Sequence, residues 1–256
     1  MAIPALNHAE VPVVRDLPAV SAAQMREIDR LAVEDFGIEL AQMMELAGAG
    51  LARVAAQMLD SVRDSRVTVL VGPGNNDGGG LVAARHLANR GSLLHVVLSR
   101  PVRQLAENSR RRVATLIAMN VPACVIPWDL ADGEFDALMA GSDLLIDALL
   151  GYAAAGPARG AVAMIAEKAI ASGTDTLSLD LPSGIDPDTG AADGPAITAT
   201  ATMTLALPKL GLLSEPGRRR SGSIYLADIG LPAALYRRAG LEFDDPFRAG
   251  QLVRLA

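Results

Sequence analysis

Three segments combine chemically capable residue types with places where a folded chain would present them. The first is VGPGNNDGGG, Val71 to Gly80, with five glycines, two asparagines and one aspartate. Glycine loses more conformational freedom on ordering than any other residue, so such a loop needs a compensating role. Bare backbone amides ahead of a helix start favour an anion or phosphate, and the helix is expected to begin at Leu81. The spacing is neither a Walker loop, since no lysine follows, nor GxGxxG; a plain flexible turn is the competing reading. The second segment is IDALLGYAAAGPARG, residues 146 to 160, where Asp147 is expected just past an apolar run and a small-residue loop follows. A carboxylate there can hold a cation or a sugar hydroxyl, or simply hydrogen-bond the neighbouring loop. The third is LDLPSGIDPDTG, residues 179 to 190, with Asp180 at a strand end, Pro182 stiffening the turn, and Ser183 and Gly184 presenting a hydroxyl and bare backbone. Asp180 can serve as general acid or base if burial raises its pKa.

These positions matter because ligands in open α/β sheets collect at the C-terminal ends of strands. The elements that would carry them can be read from hydrophobic pattern. Ser21 and Gln24 have capping-box spacing ahead of Met25, Ile28 and Leu31, and a second helix follows Gly37 with Leu40, Met43, Ala47, Leu51, Val54 and Met58. Beyond it short apolar runs alternate with amphipathic stretches: RVTVLV, LLHVVLS, ACVIPW, DLLIDALL, TLSLDLP, ATMTLALP and SIYLADIG, with helices from Leu81, from about Arg103, near Phe135 to Met139, and from Ala161. Runs apolar on both faces indicate a mostly parallel sheet inside an α/β sandwich. Residues 1–17 read as an extended arm and 18–256 as one domain, with no repeat and no dividing linker. Strand order is not readable from the pattern.

Composition excludes several classes of function. Half of the 256 residues are hydrophobic, ample for a buried core, and the balance of 23 Lys+Arg against 29 Asp+Glu leaves no basic face suited to nucleic acid. No apolar run is long enough to span a membrane, and one cysteine, Cys124, offers neither a disulfide framework nor a thiolate metal cluster. A soluble, cytoplasmic protein is expected. There is no GxSxG nucleophile elbow and no His/Cys/carboxylate cluster at ligand spacing. His86 and His95 read as structural, and Arg110 to Arg112 and Arg218 to Arg220 as solvated faces first and phosphate contacts second.

Taken together and in this order, AAQMREID, MMELAG, GPGNNDGGGLVAARHL, DALLG with GPARG, DLPSGIDPDTG, LALPKLGLL and IYLADIGLP resemble the NAD(P)H-hydrate epimerase family, the YjeF N-terminal domain, through most of residues 18 to 232. The resemblance implies a Rossmann-like three-layer α/β/α sandwich, a homodimer, and an isomerase that interconverts the R and S hydrates of NADH and NADPH for a separate dehydratase. It implies that Gly74, Asn75, Asn76, Asp77, Gly78, Gly79 and Gly80 bind the hydrated dinucleotide. The loop Gly151, Tyr152, Ala153, Ala154, Ala155, Gly156 and Pro157 would contact its phosphates, and Asp180 would act at the nicotinamide end as acid/base. Asn76, Asp147 and Ser183 would hold a potassium ion (K+).

Two positions depart from the family's pattern: NNDGGG stands where NNGGDG is usual, with Asp77 in place of an aspartate at Gly79, and Leu46 replaces the asparagine of MENAG. These departures imply nucleotide binding with weaker epimerisation, and that exchanging Asp77→Gly together with Gly79→Asp raises the rate. A catalytically weak or inactive nucleotide-binding or interaction module on the same fold stays open as the alternative. An ordinary NAD-dependent dehydrogenase is a third reading. It wants an acidic residue about twenty positions past the glycine loop, where this chain has Arg100 and Arg103.

Overall fold

A computed structural model describes residues 11–125, 129–131, 133–154 and 156–256. Within them the strands β1 (Val13–Val14), β2 (Arg66–Val71), β3 (Leu93–Leu98), β4 (Ala123–Val125), β5 (Leu144–Ala148), β6 (Thr176–Leu179), β7 (Ala201–Leu205), β8 (Ser223–Ala227) and β9 (Leu252–Leu255) form one sheet. Its order is β1-β9-β8-β7-β6-β5-β2-β3-β4, parallel throughout except for the antiparallel pair β8 and β9. The seven apolar runs of the sequence all contribute strands, although residues 126–128 of ACVIPW lie outside the described residues, as do residues 1–10 of the arm. The two strands that the pattern does not reveal, β1 and β9, are neighbours at one end of the sheet. β1 lies in the expected arm and pairs with β9, Val13 opposite Arg254.

The side-chain period of two sorts each strand between two cores, which makes the architecture a Rossmann-like three-layer α/β/α sandwich. Val67, Val69 and Val71 of β2 pack into a core shared with α1 (Ala22–Arg30), α2 (Leu40–Met58), α3 (Asn76–Ala88), α4 (Glu107–Ala118) and α9 (Ala233–Arg238). Leu70 faces the other way, into a core built by α5 (Glu134–Ala140) and α6 (Gly160–Ser172). Two short helices, α7 (Leu210–Leu213) and α8 (Glu215–Ser221), follow β7. Ser21 caps α1 as its spacing predicts: its hydroxyl accepts from Gln24 N at 3.2 Å, and its own amide donates to Gln24 Oε1 at 2.9 Å.

One expectation fails in an informative way. The helix after the glycine segment begins at Asn76, five residues before Leu81, so Gly78, Gly79 and Gly80 belong to its first turns and are buried. A Cβ at Gly79 would stand 2.6 Å from Leu179 Cδ2, and one at Gly80 would stand 2.5 Å from Ala148 Cβ. These glycines let the helix press against the sheet; only Gly72 to Asn75 remain as loop. A tertiary close approach has overridden weak helix propensity.

The strand order places the switch in chain direction between β2 and β5. From β2 the chain moves outward through β3 and β4, and from β5 it moves the other way through β6, β7 and β8. The crevice beyond the carboxyl ends of these two strands is where a sheet of this kind leaves room for a ligand.

Candidate active site

A cavity of about 410 Å³ occupies that crevice. Its apolar wall comes from α1 and α2, with Met25, Leu40, Met43 and Met44; its polar wall combines the Pro73 to Asn76 turn, Gly151 to Ala154, Asp29, Asp180 and Lys209. The start of α3 therefore borders the cavity at Asn75 and Asn76, not at Leu81, while the Asp77 and Gly78 amides donate back to Gly74 O at 3.2 Å and Asn75 O at 3.1 Å.

Asp180 follows β6 directly. Its φ is +71°, and Leu181 N donates to Leu179 O across it at 2.9 Å, a tight γ-type turn that costs energy for a residue with a side chain. β7 ends in the same way, with Ala206 at φ +62° and Leu207 N donating to Leu205 O at 2.7 Å. These paired turns bring together two charged side chains. Lys209 Nζ contacts Asp180 Oδ1 in an ion pair of which both members are almost wholly buried. The ammonium also donates to Leu205 O at 3.0 Å and Thr204 Oγ1 at 3.3 Å, and it sits 5.5 Å from the centroid of the Tyr152 ring. A bridge from Val20, just ahead of α1, fixes the Lys209 backbone through Val20 N to Pro208 O and Leu210 N to Val20 O.

Tyr152 joins two carboxyl groups in this cavity. Its backbone amide donates to Asp180 Oδ2 at 2.8 Å, and its hydroxyl donates to Asp29 Oδ2. Burial pushes the Asp29 carboxyl up from its ordinary value, against the opposing effects of the Tyr152 hydroxyl and the Lys209 charge. Burial also raises the Tyr152 phenol, with the Asp29 and Asp180 charges adding to the shift.

Asp147 differs from the reading of a residue past its strand: it is the fourth residue of β5. Its side chain is fully buried and accepts four hydrogen bonds, to Oδ1 from Ser183 Oγ at 2.6 Å and Leu149 N at 3.2 Å, and to Oδ2 from Ser178 Oγ at 2.7 Å and Ser183 N at 2.8 Å. Burial raises its pKa, and the Ser183 hydroxyl and amide oppose that rise. Among the described residues it has no cationic partner. Asn76 completes the arrangement: its Nδ2 donates to Leu150 O at 3.2 Å and Leu179 O at 3.1 Å, while Leu150 N donates to Ser183 Oγ at 2.8 Å. Asn76, Asp147 and Ser183 thus meet around Leu150, and two backbone carbonyls converge on the Asn76 amide.

The remaining sequence candidates divide. Gly74, Asn75, Asn76, Gly151, Tyr152, Ala153, Ala154 and Asp180 line the cavity. Gly156 and Pro157 line a smaller adjoining hollow of about 40 Å³, and Ala155 lies outside the described residues. Asp77 turns away towards α4: burial raises its pKa, opposed by the Ser109 hydroxyl and the Arg112 charge. Gly78, Gly79 and Gly80 lie on the packed faces of α3 and do not line the cavity. The exchange of Gly79→Asp therefore drives a side chain into Leu179, which removes the ground for expecting a faster enzyme. Arg111 and Arg219 are exposed and paired with Glu107 and Glu215, as solvated faces would be, whereas His86 has a partner, Glu45, 3.1 Å away. Sequence reasoning missed Lys209 and Asp29. The signal for Lys209 was a lone cation in the apolar run LALPKLGLL; that for Asp29 was a carboxylate beside the apolar positions of an amphipathic helix.

Fold and cavity together define an α/β protein with an ionisable site at its topological switch point. Residues 40–211 match the family model described as YjeF-related protein N-terminus. The chain is 42% identical over 238 residues to the NAD(P)H-hydrate epimerase of Dehalogenimonas lykanthroporepellens, covering 92% of each chain. It is 36% identical over 217 residues to the bifunctional NAD(P)H-hydrate repair enzyme Nnr of Moorella thermoacetica, covering 84% of this chain and 41% of that one. The crystal structure of the yeast protein YNL200c superposes with a TM-score of 0.79 at 26% identity, covering 93% of this chain and all of the other. The chain belongs to the YjeF N-terminal family.

Proposed function

We propose that this chain is an NAD(P)H-hydrate epimerase, an isomerase that interconverts the R and S hydrates of NADH and NADPH. The observation that carries the reading is the cavity in which the start of α3 and the Asp180–Lys209 pair face a common space, in a chain whose 42% identical relative bears that name. Inverting the hydroxyl-bearing carbon requires the C–O bond to break, with a proton reaching the departing oxygen, and water to add on the other face and lose a proton. The Asp180 carboxyl is the group that exchanges this proton. Lys209 and the Tyr152 amide hold its two oxygens in place, and the Tyr152 hydroxyl is fixed in turn by Asp29. The apolar wall of α1 and α2 keeps bulk water from the reacting ring. Asn75, Asn76 and the start of α3 bind the phosphate-bearing part of the molecule together with Gly151 to Pro157.

Asn76, Asp147 and Ser183 would hold a potassium ion. Four donors on one carboxylate suit its ionised form, and a buried ionised carboxylate without a cationic side chain leaves a charge for a bound cation to compensate. The side chains that would hold the ion offer a hydroxyl, an amide oxygen and one carboxylate, with backbone carbonyls beside them. Such a set suits a hard monovalent ion, which would supply charge compensation and hold the phosphate-facing loops together.

Among the described residues no helix is long and apolar enough to cross a membrane. We place the reaction in the cytoplasm, in a homodimer of a domain formed by residues 18–256, supplying an NAD(P)H-hydrate dehydratase. A bifunctional relative that this chain matches over only 41% of its length supports that last link. The alternative, a nucleotide-binding or interaction module of little activity, draws on Leu46 and Gly79. One assay separates them: an equal mixture of hydrates is offered to a dehydratase specific for one epimer. The epimerase reading expects complete conversion when this protein is added and abandons its ground if half the hydrate persists.

A further inference from the structure

The crevice has a second end, beyond β2 on the side away from Asp180, where β3 runs alongside in register with Val71 opposite Leu98. The next residue, Ser99, donates its amide to Val71 O at 2.9 Å, so it lies level with the start of the Gly72 to Asn75 turn. Ser99 is buried, and its hydroxyl, shut off from solvent, has no hydrogen-bond partner among the described residues. Arg100 follows and lines the main cavity with Pro73, Gly74 and Asn75. Among the described residues Arg100 makes no ion pair; its charge acts on Asp77, whose carboxyl is engaged more strongly by the Ser109 hydroxyl and Arg112. Arg103 follows on a 3₁₀ turn, and Arg112 lies against Gly78, 3.2 Å from where a Cβ there would stand.

In a dinucleotide-binding sheet of this kind the strand beside the glycine turn carries the residue that meets the adenosine ribose. A carboxylate there takes the free 2′-hydroxyl, and an arginine accommodates a 2′-phosphate. Here the first acidic residue after β3 is Glu107, exposed and paired with Arg111. A ribose 2′-hydroxyl would find no carboxylate at the strand end. A 2′-phosphate would find a guanidinium that lines the cavity and makes no ion pair among the described residues. We propose that Arg100, with Arg103 nearby, forms a 2′-phosphate subsite, and that this chain prefers 2′-phosphorylated dinucleotides, hence the hydrate of NADPH over that of NADH. The hydrate part of this statement rests on the epimerase reading; the binding preference does not.

The test measures binding and turnover separately. Calorimetric titration of the wild-type protein with NADP+ and with NAD+, and with 2′,5′-ADP and with 5′-AMP, is expected to favour the 2′-phosphorylated member of each pair by about tenfold or more at low salt. The preference should shrink as salt rises, as charge recognition at a partly open site does. Arg100→Ala is expected to bring the NADP+ to NAD+ ratio to within about twofold of unity, and Arg100→Asp to invert it, with thermal melts confirming that both variants fold. The ratio of kcat/KM for the two hydrates should move in parallel. A wild-type affinity ratio near unity overturns the proposal, as does a preference that survives in both variants. If neither hydrate turns over but the binding ratio depends on Arg100, the epimerase reading fails and the subsite stands. If both hydrates turn over equally and Arg100→Ala lowers both alike, the epimerase reading stands and the subsite falls.

Discussion

Asp147 and Asp180 belong to neighbouring parallel segments and are both nearly inaccessible to solvent, but their charges are met in opposite ways. Asp180 faces the cavity, takes one oxygen to an ammonium and the other to a backbone amide. Asp147 points into a cage of hydroxyls and amides that leaves its net charge uncompensated by any described side chain. The first arrangement holds a carboxyl group in place at the cavity wall; the second ties together the loops after β5 and β6. An aspartate near the end of a buried strand is thus one sequence signature with two physical outcomes, decided by what the next strand over supplies.

The contrast is most sharply tested at the ion pair. Lys209→Met leaves the Asp180 carboxylate buried without its counter-charge and is expected to cost about 3–5 kcal/mol of stability, read from chemical denaturation. Asp180→Asn strands the lysine in the same way and should also lower epimerisation by at least about a hundredfold, while dinucleotide affinity is kept. The double variant Asp180→Asn with Lys209→Met should recover much of the lost stability and none of the activity. If the double variant is as unstable as the sum of the singles, the two side chains are not a coupled pair.

Asp147→Asn should act mainly on stability. An amide in that cage opposes at least one donor with another donor, at a cost of about 1–3 kcal/mol, and turnover per folded molecule should fall far less than in Asp180→Asn. Equal losses of turnover in the two variants would erase the distinction drawn between them. Placing Gly79→Asp beside Asp77→Gly is expected to destabilise by about 1–3 kcal/mol through overpacking against Leu179, with no gain in rate.

The smallest effect is ionic. Burial raises the Asp147 pKa above its unfolded value, so the folded state binds the extra proton between those two values, and stability there rises as pH falls. Above the folded pKa the ionised group costs stability unless a cation compensates it. The melting temperature in potassium chloride should therefore exceed that in tetramethylammonium chloride by a few degrees at about pH 7.5, and the difference should fade towards about pH 4. A difference independent of pH would point to a cation held elsewhere.

Much of the fold could be read from local pattern because its causes are local. The seven apolar runs announce strands covered on both faces, and Ser21 with Gln24 marks the start of α1. Elements fixed by distant partners were not legible. β1 is two residues long and exists through pairing with β9, some 240 positions away, and strand order is a property of the whole sheet. The glycines at 78 to 80 read as loop because propensity was the only available guide; the packing against Ala148 and Leu179 that makes them helical is tertiary. Asp180 was legible as a strand-end carboxylate, whereas its lysine partner lies 29 residues further on, beyond another strand. The pairing of Tyr152 with Asp29 spans 123 residues and has no local trace at all.

The twin γ-type turns at Asp180 and Ala206 store the same backbone strain for different returns. Each holds a side-chain-bearing residue in a conformation that glycine would adopt freely, so glycine at either place would relieve roughly 1 kcal/mol of backbone strain. At 206 nothing but a methyl group is given up, and Ala206→Gly offers a route to a hardier catalyst. At 180 the same relief would leave the buried Lys209 without its counter-charge, a loss of about 3–5 kcal/mol that outweighs it, so durability and chemistry both hold the strained aspartate in place.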